Sequence, residues 1–182
     1  EVTLDILPVV DVLNEVAENR AHIGLAYNPP THPHIEFRAA SLQPVMLLVR
    51  PDHPLAVRGS MASVQDVLEC PLVLTPTTFG IGHAITLLEY AEKIQVRPIL
   101  VSNSLAALKR LVASGDFASL AGEFAASREI ENGELASVLI DHPLLLGVEA
   151  KLLVKAGRPL AAPAQELLDW MLARLPMFKS QA

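Results

Sequence analysis

Six histidines, one cysteine and twenty carboxylates are the side chains of this 182-residue chain that could do chemistry, and their spacing argues against most of it. His32 and His34 share a proline-rich loop, while His22, His53, His83 and His142 are scattered. None falls in a His-Glu-x-x-His or paired Cys/His spacing that would close around a metal. They read as surface or helix-capping histidines, and no metal is expected. Cys70 follows an amphipathic segment and precedes an apolar one, so it reads as a core thiol rather than a nucleophile. No serine lies in a Gly-x-Ser-x-Gly elbow. Gly80-Ile81-Gly82 resembles a fragment of a phosphate loop but lacks the third glycine and the Lys-Ser/Thr that would follow; it reads as the entry to a helix. The acidic residues spread along solvated helix faces. No catalytic residue and no cofactor are expected.

Two turns remain that could hold a ligand. Thr75-Pro76-Thr77-Thr78-Phe79-Gly80 lies between the carboxyl end of a strand and a helix, where open α/β sheets bind ligands. The hydroxyls of Thr77 and Thr78, with the free amides of the next helix, can hold a carboxylate, and Phe79 can supply an apolar wall. Val101-Ser102-Asn103-Ser104 is a second strand-to-helix turn with capping groups. The first could equally be an ordinary turn, and the second taken alone reads rather more as a plain helix cap; two of them on one sheet edge strengthen both.

The elements that position these turns follow from periodicity. Val2, Leu4 and Ile6 alternate with Glu1, Thr3 and Asp5, the pattern of a half-buried strand ended by Pro8. Residues 11–20 form a short amphipathic helix, and 23–27, 36–42 and 45–49 are strands. The continuously apolar 45–49 run suits a strand covered on both faces. Two prolines keep Arg50–Pro54 from being helical. Ser63 with Asp66 has the spacing of a capping box opening a helix over 63–69. Strands over 72–74, 97–101, 117–120, 135–140 and 150–154 alternate with helices over 82–93, 105–113 and 124–131, with a last helix from about Pro163 to Leu175. The alternation predicts an α/β protein with mainly parallel sheets. Connectors at 50–53 and 141–147 divide it into two lobes, 1–50 plus 146–182 and 51–145.

A composition of 51% hydrophobic and 19% charged residues supports a packed core and excludes a disordered chain. The net charge of -6, without a basic patch, argues against nucleic-acid binding by this chain. No apolar run approaches the roughly 20 residues of a membrane span, and no signal peptide is visible. A lone cysteine fits the cytoplasm, or a disulfide-free periplasmic protein.

In order and spacing, several blocks resemble the effector-binding domain of LysR-type transcription regulators: Asn14–Leu25, with His22 where the family has Asp; Val45–Ala56, containing Arg50-Pro51-Asp52-His53-Pro54-Leu55-Ala56; Pro71–Thr75; Asn103–Val112 with Gly115; and Arg128–Leu135. The resemblance runs from about Val2 to Leu175. It implies two Rossmann-like lobes joined by a double crossover, as in type 2 periplasmic binding proteins, with the first lobe lacking the strand and helix that usually precede this point. It implies a small-molecule effector, a carboxylate and aromatic ones included, held between the lobes. The contacts it carries over are Thr77, Thr78, Phe79, Asn103 and Ser104, faced by Val9 and Val10, with Phe124 beside them. Pro8-Val9-Val10 replaces the family's small polar residue, which hints at a partly apolar effector, and Asp116–Gly122 departs from the family's apolar run closed by proline. The family also implies a cytoplasmic homodimer of this domain, a tetramer at full length, and DNA contact only through an N-terminal winged helix-turn-helix outside this chain. A periplasmic solute-binding protein of the same fold is the alternative.

Overall fold

The computed structural model describes residues 2–175 and 177–178. The chain divides into two compact units: Glu1–Leu42 with Thr78–Gly80 and Glu149–Ala182, and Gln43–Thr77 with Ile81–Val148.

In the first unit, α1 (Val9–Ala17) precedes β1 (Gly24–Tyr27) and β2 (Ile35–Leu42), and β8 (Glu149–Lys155) runs antiparallel between those two strands. Period-2 alternation in β8 sorts its side chains onto two faces. Leu153 meets Leu13 and Val16 of α1 with Ala26 and Ile35. Leu152 and Val154 point the other way, onto Leu168 of α8 (Ala162–Arg174) and Phe178. Each fully buried Leu contributes about 2 kcal/mol of transfer free energy, so two short apolar stripes clamp this three-stranded sheet. Ser41, buried in β2, donates its hydroxyl proton to the Met177 carbonyl and ties down the chain beyond α8.

The second unit is built on β3 (Val45–Val49), whose five residues are all buried. It pairs antiparallel with β6 (Ser119–Gly122) on one side and β7 (Ala136–Leu139) on the other. A parallel bridge from Ala118 to Leu72 carries the sheet on to β4 (Val73–Leu74), which pairs parallel with β5 (Leu100–Val101). Met46 and Leu48 face Leu108 and Val112 of α5 (Leu105–Ser114), together with Val73, Ala121 and Leu135. The remaining helices are α2 (Pro54–Arg58), α3 (Val64–Glu69), α4 (Ile81–Glu92), α6 (Ser127–Glu131) and α7 (Pro143–Leu146), with a 3-10 turn at Glu123–Ala125.

Several expectations change. The strand over Val2–Ile6 does not form: Val2, Leu4 and Ile6 are 75%, 84% or more exposed, and β1 pairs only with β8. An alternating strand has a buried face only if something covers it. (Glu1, its first residue, lies outside the described residues.) The sheets are mixed rather than mainly parallel, because β3 and β8 each run against both neighbours. The boundary expected at Arg50 falls at Leu42, since β3 belongs to the second unit's sheet, and the return falls at Glu149 rather than residue 146. The helix expected over 124–131 is broken at Ala126.

Two short helices also appear in or beside the stretches expected to be connectors. In both α2 and α7 the proline occupies the first helical position, where its missing N–H costs nothing. The preceding histidine supplies the cap. His53 Nδ1 accepts from the Leu55 amide at 3.2 Å, and His142 Nδ1 accepts from the Leu144 amide at 3.3 Å. A repeated His-Pro-Leu thus performs one local task twice. Burial, then the charge of Arg50, lowers the basicity of His53 and favours the neutral ring that can accept. The capping box of α3 is present: Ser63 Oγ accepts from the Asp66 amide at 3.1 Å and Asp66 accepts from the Ser63 amide at 2.7 Å.

Candidate functional site

Within the second unit, the parallel register Val73↔Leu100 and Leu74↔Val101 makes both candidate turns leave the sheet at the carboxyl ends of neighbouring strands. The Ser102 amide donates to the Leu74 carbonyl at 3.0 Å, so the turns start side by side. Neighbouring strands lie about 4.8 Å apart, a distance one carboxylate can span. Thr77, Asn103 and Ser104 are exposed. Ser102 Oγ accepts from the Ser104 amide at 3.1 Å, and Ser104 Oγ caps α5 by accepting from the Ala107 amide at 3.3 Å. These two hydroxyls are therefore structural acceptors that still hold a proton to donate. Thr77 and Asn103 have no side-chain hydrogen bond among the described residues.

The start of α4 is pressed against this turn. A Cβ on Gly82 would lie 1.9 Å from the Thr77 carbonyl oxygen and 2.3 Å from its carbon. Only glycine lets the helix begin there, which explains the Gly-x-Gly fragment without a nucleotide. α4 has no acidic residue in its first turn, so its positive end is not offset.

Thr78, Phe79 and Gly80 are grouped with the first unit. The Thr78 carbonyl accepts from the Val9 amide at 3.3 Å, at the uncapped start of α1. Gly80 abuts Tyr27 at the end of β1, where an added Cβ would approach the Tyr27 Cβ to 2.7 Å. The first unit therefore brings together Val9, Thr78 and Tyr27, with Phe79 half-buried and Val10 and the Thr78 side chain exposed. Tyr27 did not emerge from the sequence. Its signal was there in the break after a strand, Tyr27-Asn28-Pro29-Pro30, with Asn28 at φ 53°. Burial raises the Tyr27 phenol above its ordinary range, so it stays a neutral hydrogen-bonding group.

Phe124 stands apart. It lies in the 3-10 turn after β6 and lines a polar cavity of about 390 Å³ with the Lys109–Glu129 ion pair (2.6 Å). None of the other expected contacts lines that cavity. Among the described residues no group of histidine, cysteine and carboxylate side chains could hold a metal ion, and no helix is long and apolar enough to cross a membrane. His32 and His34 meet edge to face at 5.7 Å.

A family profile, the LysR substrate binding domain, matches residues 1–176. Among solved structures, the regulatory domain of Synechocystis PCC6803 CcmR in complex with 2-PG is 21% identical with a TM-score of 0.79, covering 97% of this chain and 84% of its own. The effector binding domain of QuiR in complex with shikimate is 16% identical with a TM-score of 0.70 (91% and 77% covered). The BenM effector binding domain with benzoate is 17% identical with a TM-score of 0.66 (92% and 76%). At these identities the likeness establishes the fold. No curated protein sequence matches the chain.

Proposed function

The chain belongs to the LysR substrate-binding domain family, the ligand-sensing part of LysR-type transcription regulators with a type 2 periplasmic-binding-protein-like fold, and on that premise we propose that its effector is a small carboxylate. The observation that carries this reading is the pair of turns at the carboxyl ends of the parallel strands β4 and β5, with side-chain donors at Thr77, Asn103 and Ser104 beside the start of α4. Hydroxyl, amide and helix-end donors suit a single negative charge. Two of the structural neighbours bind ring carboxylates, shikimate and benzoate. In the first unit we assign further effector contacts to Val9, Val10, Thr78 and Phe79 and add Tyr27; Phe124 is the outlying member of the set.

The domain acts by binding rather than catalysis, as its family does. Its effector must prefer one conformation over another, since a ligand with equal affinity for both shifts nothing. We place the protein in the cytoplasm, as a homodimer of this domain within a tetrameric regulator whose winged helix-turn-helix heads contact DNA; family membership supports this. Calorimetric titration with benzoate, shikimate and 2-PG tests the site. A probe that binds wild type should bind Thr77→Val and Asn103→Ala about tenfold more weakly, the loss expected for a hydrogen bond to a charged group. Unchanged affinity in both variants would remove these turns from the site.

A further inference from the structure

We propose that the first unit carries a second anion site, specific for a phosphate group, in the cavity where β8 gives way to α8. The cavity is about 220 Å³ and is lined by His22, Lys155 and Arg158, with Asn19, Leu160 and Ala161. None of these residues belongs to the turns assigned to the effector.

Two tight reversals build it. After Lys155, Gly157 takes a left-handed φ of 69°, and the Ala156 amide bonds the His34 carbonyl at 2.9 Å. The chain turns back and brings Arg158 beside Lys155 on its way into α8. From the other side, Asn19 at φ 66° ends α1, and the Arg20 and Ala21 amides both bond the Glu15 carbonyl (2.8 and 3.0 Å), which delivers His22.

Charge singles the cavity out. The chain carries 20 acidic against 14 basic residues, yet neither Lys155 nor Arg158 has an ion-pair partner among the described residues. Nearby carboxylates are engaged elsewhere. Arg20 holds both Glu15 (2.8 Å) and Glu18, and Arg38 holds Glu36. Two unneutralised cations and an imidazole therefore converge on one hollow. Ala161, which opens α8, offers no side-chain cap, and the first turn of α8 has no acidic residue to compete with a ligand. The volume lies below the roughly 300–1,000 Å³ of drug-sized pockets, so the occupant is a small anion. Two cations favour a dianionic phosphate over a singly charged carboxylate.

The test is a titration of the chain with inorganic phosphate, and separately with glycerol phosphate, at low ionic strength, followed by amide chemical shifts. Saturable binding should move the amides of residues 19–22 and 157–162. Tighter binding of glycerol phosphate would assign the site to phosphate esters, and tighter inorganic phosphate to the free ion; acetate should bind more weakly than both. Arg158→Gln, at an exposed position, and the double variant Lys155→Gln/Arg158→Gln should weaken binding, the double by about tenfold. Arg110→Gln on α5 should not. Shifts scattered over the surface, no saturation, acetate binding as well as phosphate, or equal affinity in the double variant would overturn the assignment.

Discussion

Replacing Gly82 by alanine pits two effects against each other. Alanine favours a helix over glycine by up to about 1 kcal/mol, so propensity alone predicts a more stable protein. Packing predicts the opposite. The new Cβ would sit 1.9 Å from the Thr77 oxygen, whereas real Cβ atoms keep 3.0 Å or more, so the turn or the first residues of α4 must retreat by about 1.1 Å. The obstacle is backbone and cannot rotate away. Overpacking of this kind costs about 1–3 kcal/mol or more. We therefore expect a net loss of about 1–2 kcal/mol and a midpoint lower by about 2–8 °C for a domain of this size. Calorimetric or urea unfolding measures it, with Gly133→Ala as the comparison. At Gly133, φ is 72° and the added Cβ meets nothing within 4 Å, so only left-handed strain applies, about 1 kcal/mol. A Gly82→Ala protein as stable as wild type, or more stable, would refute the close approach. Effector binding should fall with stability there, because the displaced backbone carries Thr77.

Thr78→Ala is expected to weaken effector binding with a thermal midpoint nearly unchanged, because the side chain is exposed and has no hydrogen bond among the described residues; an equal loss of both in paired titration and melting would make it structural. Ser41→Ala should destabilise by about 1–2 kcal/mol, measured by urea unfolding, through loss of a buried hydrogen bond to the Met177 carbonyl. The Asp66 carboxyl is held well below its usual range by Arg58 and then by Ser63. Its contribution is complete above the ordinary carboxylate value and fades as pH falls toward the depressed one, so Arg58→Met should flatten the acid limb of a urea-midpoint profile. Burial, then Arg50, holds His53 below the ordinary imidazole value. Its stabilisation is full above that ordinary value and declines as acid charges the unfolded chain first; a His53→Asn variant, retaining a cap, should lose that slope in a urea-midpoint profile.

Legibility in the sequence tracked how local each cause is. The amphipathic stripe of α1, the doubly buried β3 and the Ser63–Asp66 box are written in a few neighbouring residues, and each forms. Strand direction is not local. Val45–Val49 looks the same whether its neighbours run with it or against it, so apolar patterning does not separate a mixed sheet from a parallel one. The two candidate turns were visible from Thr/Ser/Asn chemistry after apolar runs, but their adjacency depends on the β4–β5 register. Tyr27 was hidden because its role comes from Gly80, more than fifty positions away. The α2 and α7 helices are hard to read because each is under two turns long and rests on a proline at the first helical position with a histidine cap before it.

Placing β8 at the centre of the first unit sets an order of assembly. The second unit is nearly one continuous run, residues 43–148, and can close on itself as soon as it has emerged during synthesis. β1 and β2, made earlier, have no partner until residues 149–155 appear. The amino-terminal strands must wait, edges unsatisfied, for more than a hundred residues of later chain, and such long-range closure is slow. A released chain ending at residue 148 would hold a folded second unit beside an unfolded amino terminus, which makes those early strands the chain's point of exposure to proteases and chaperones.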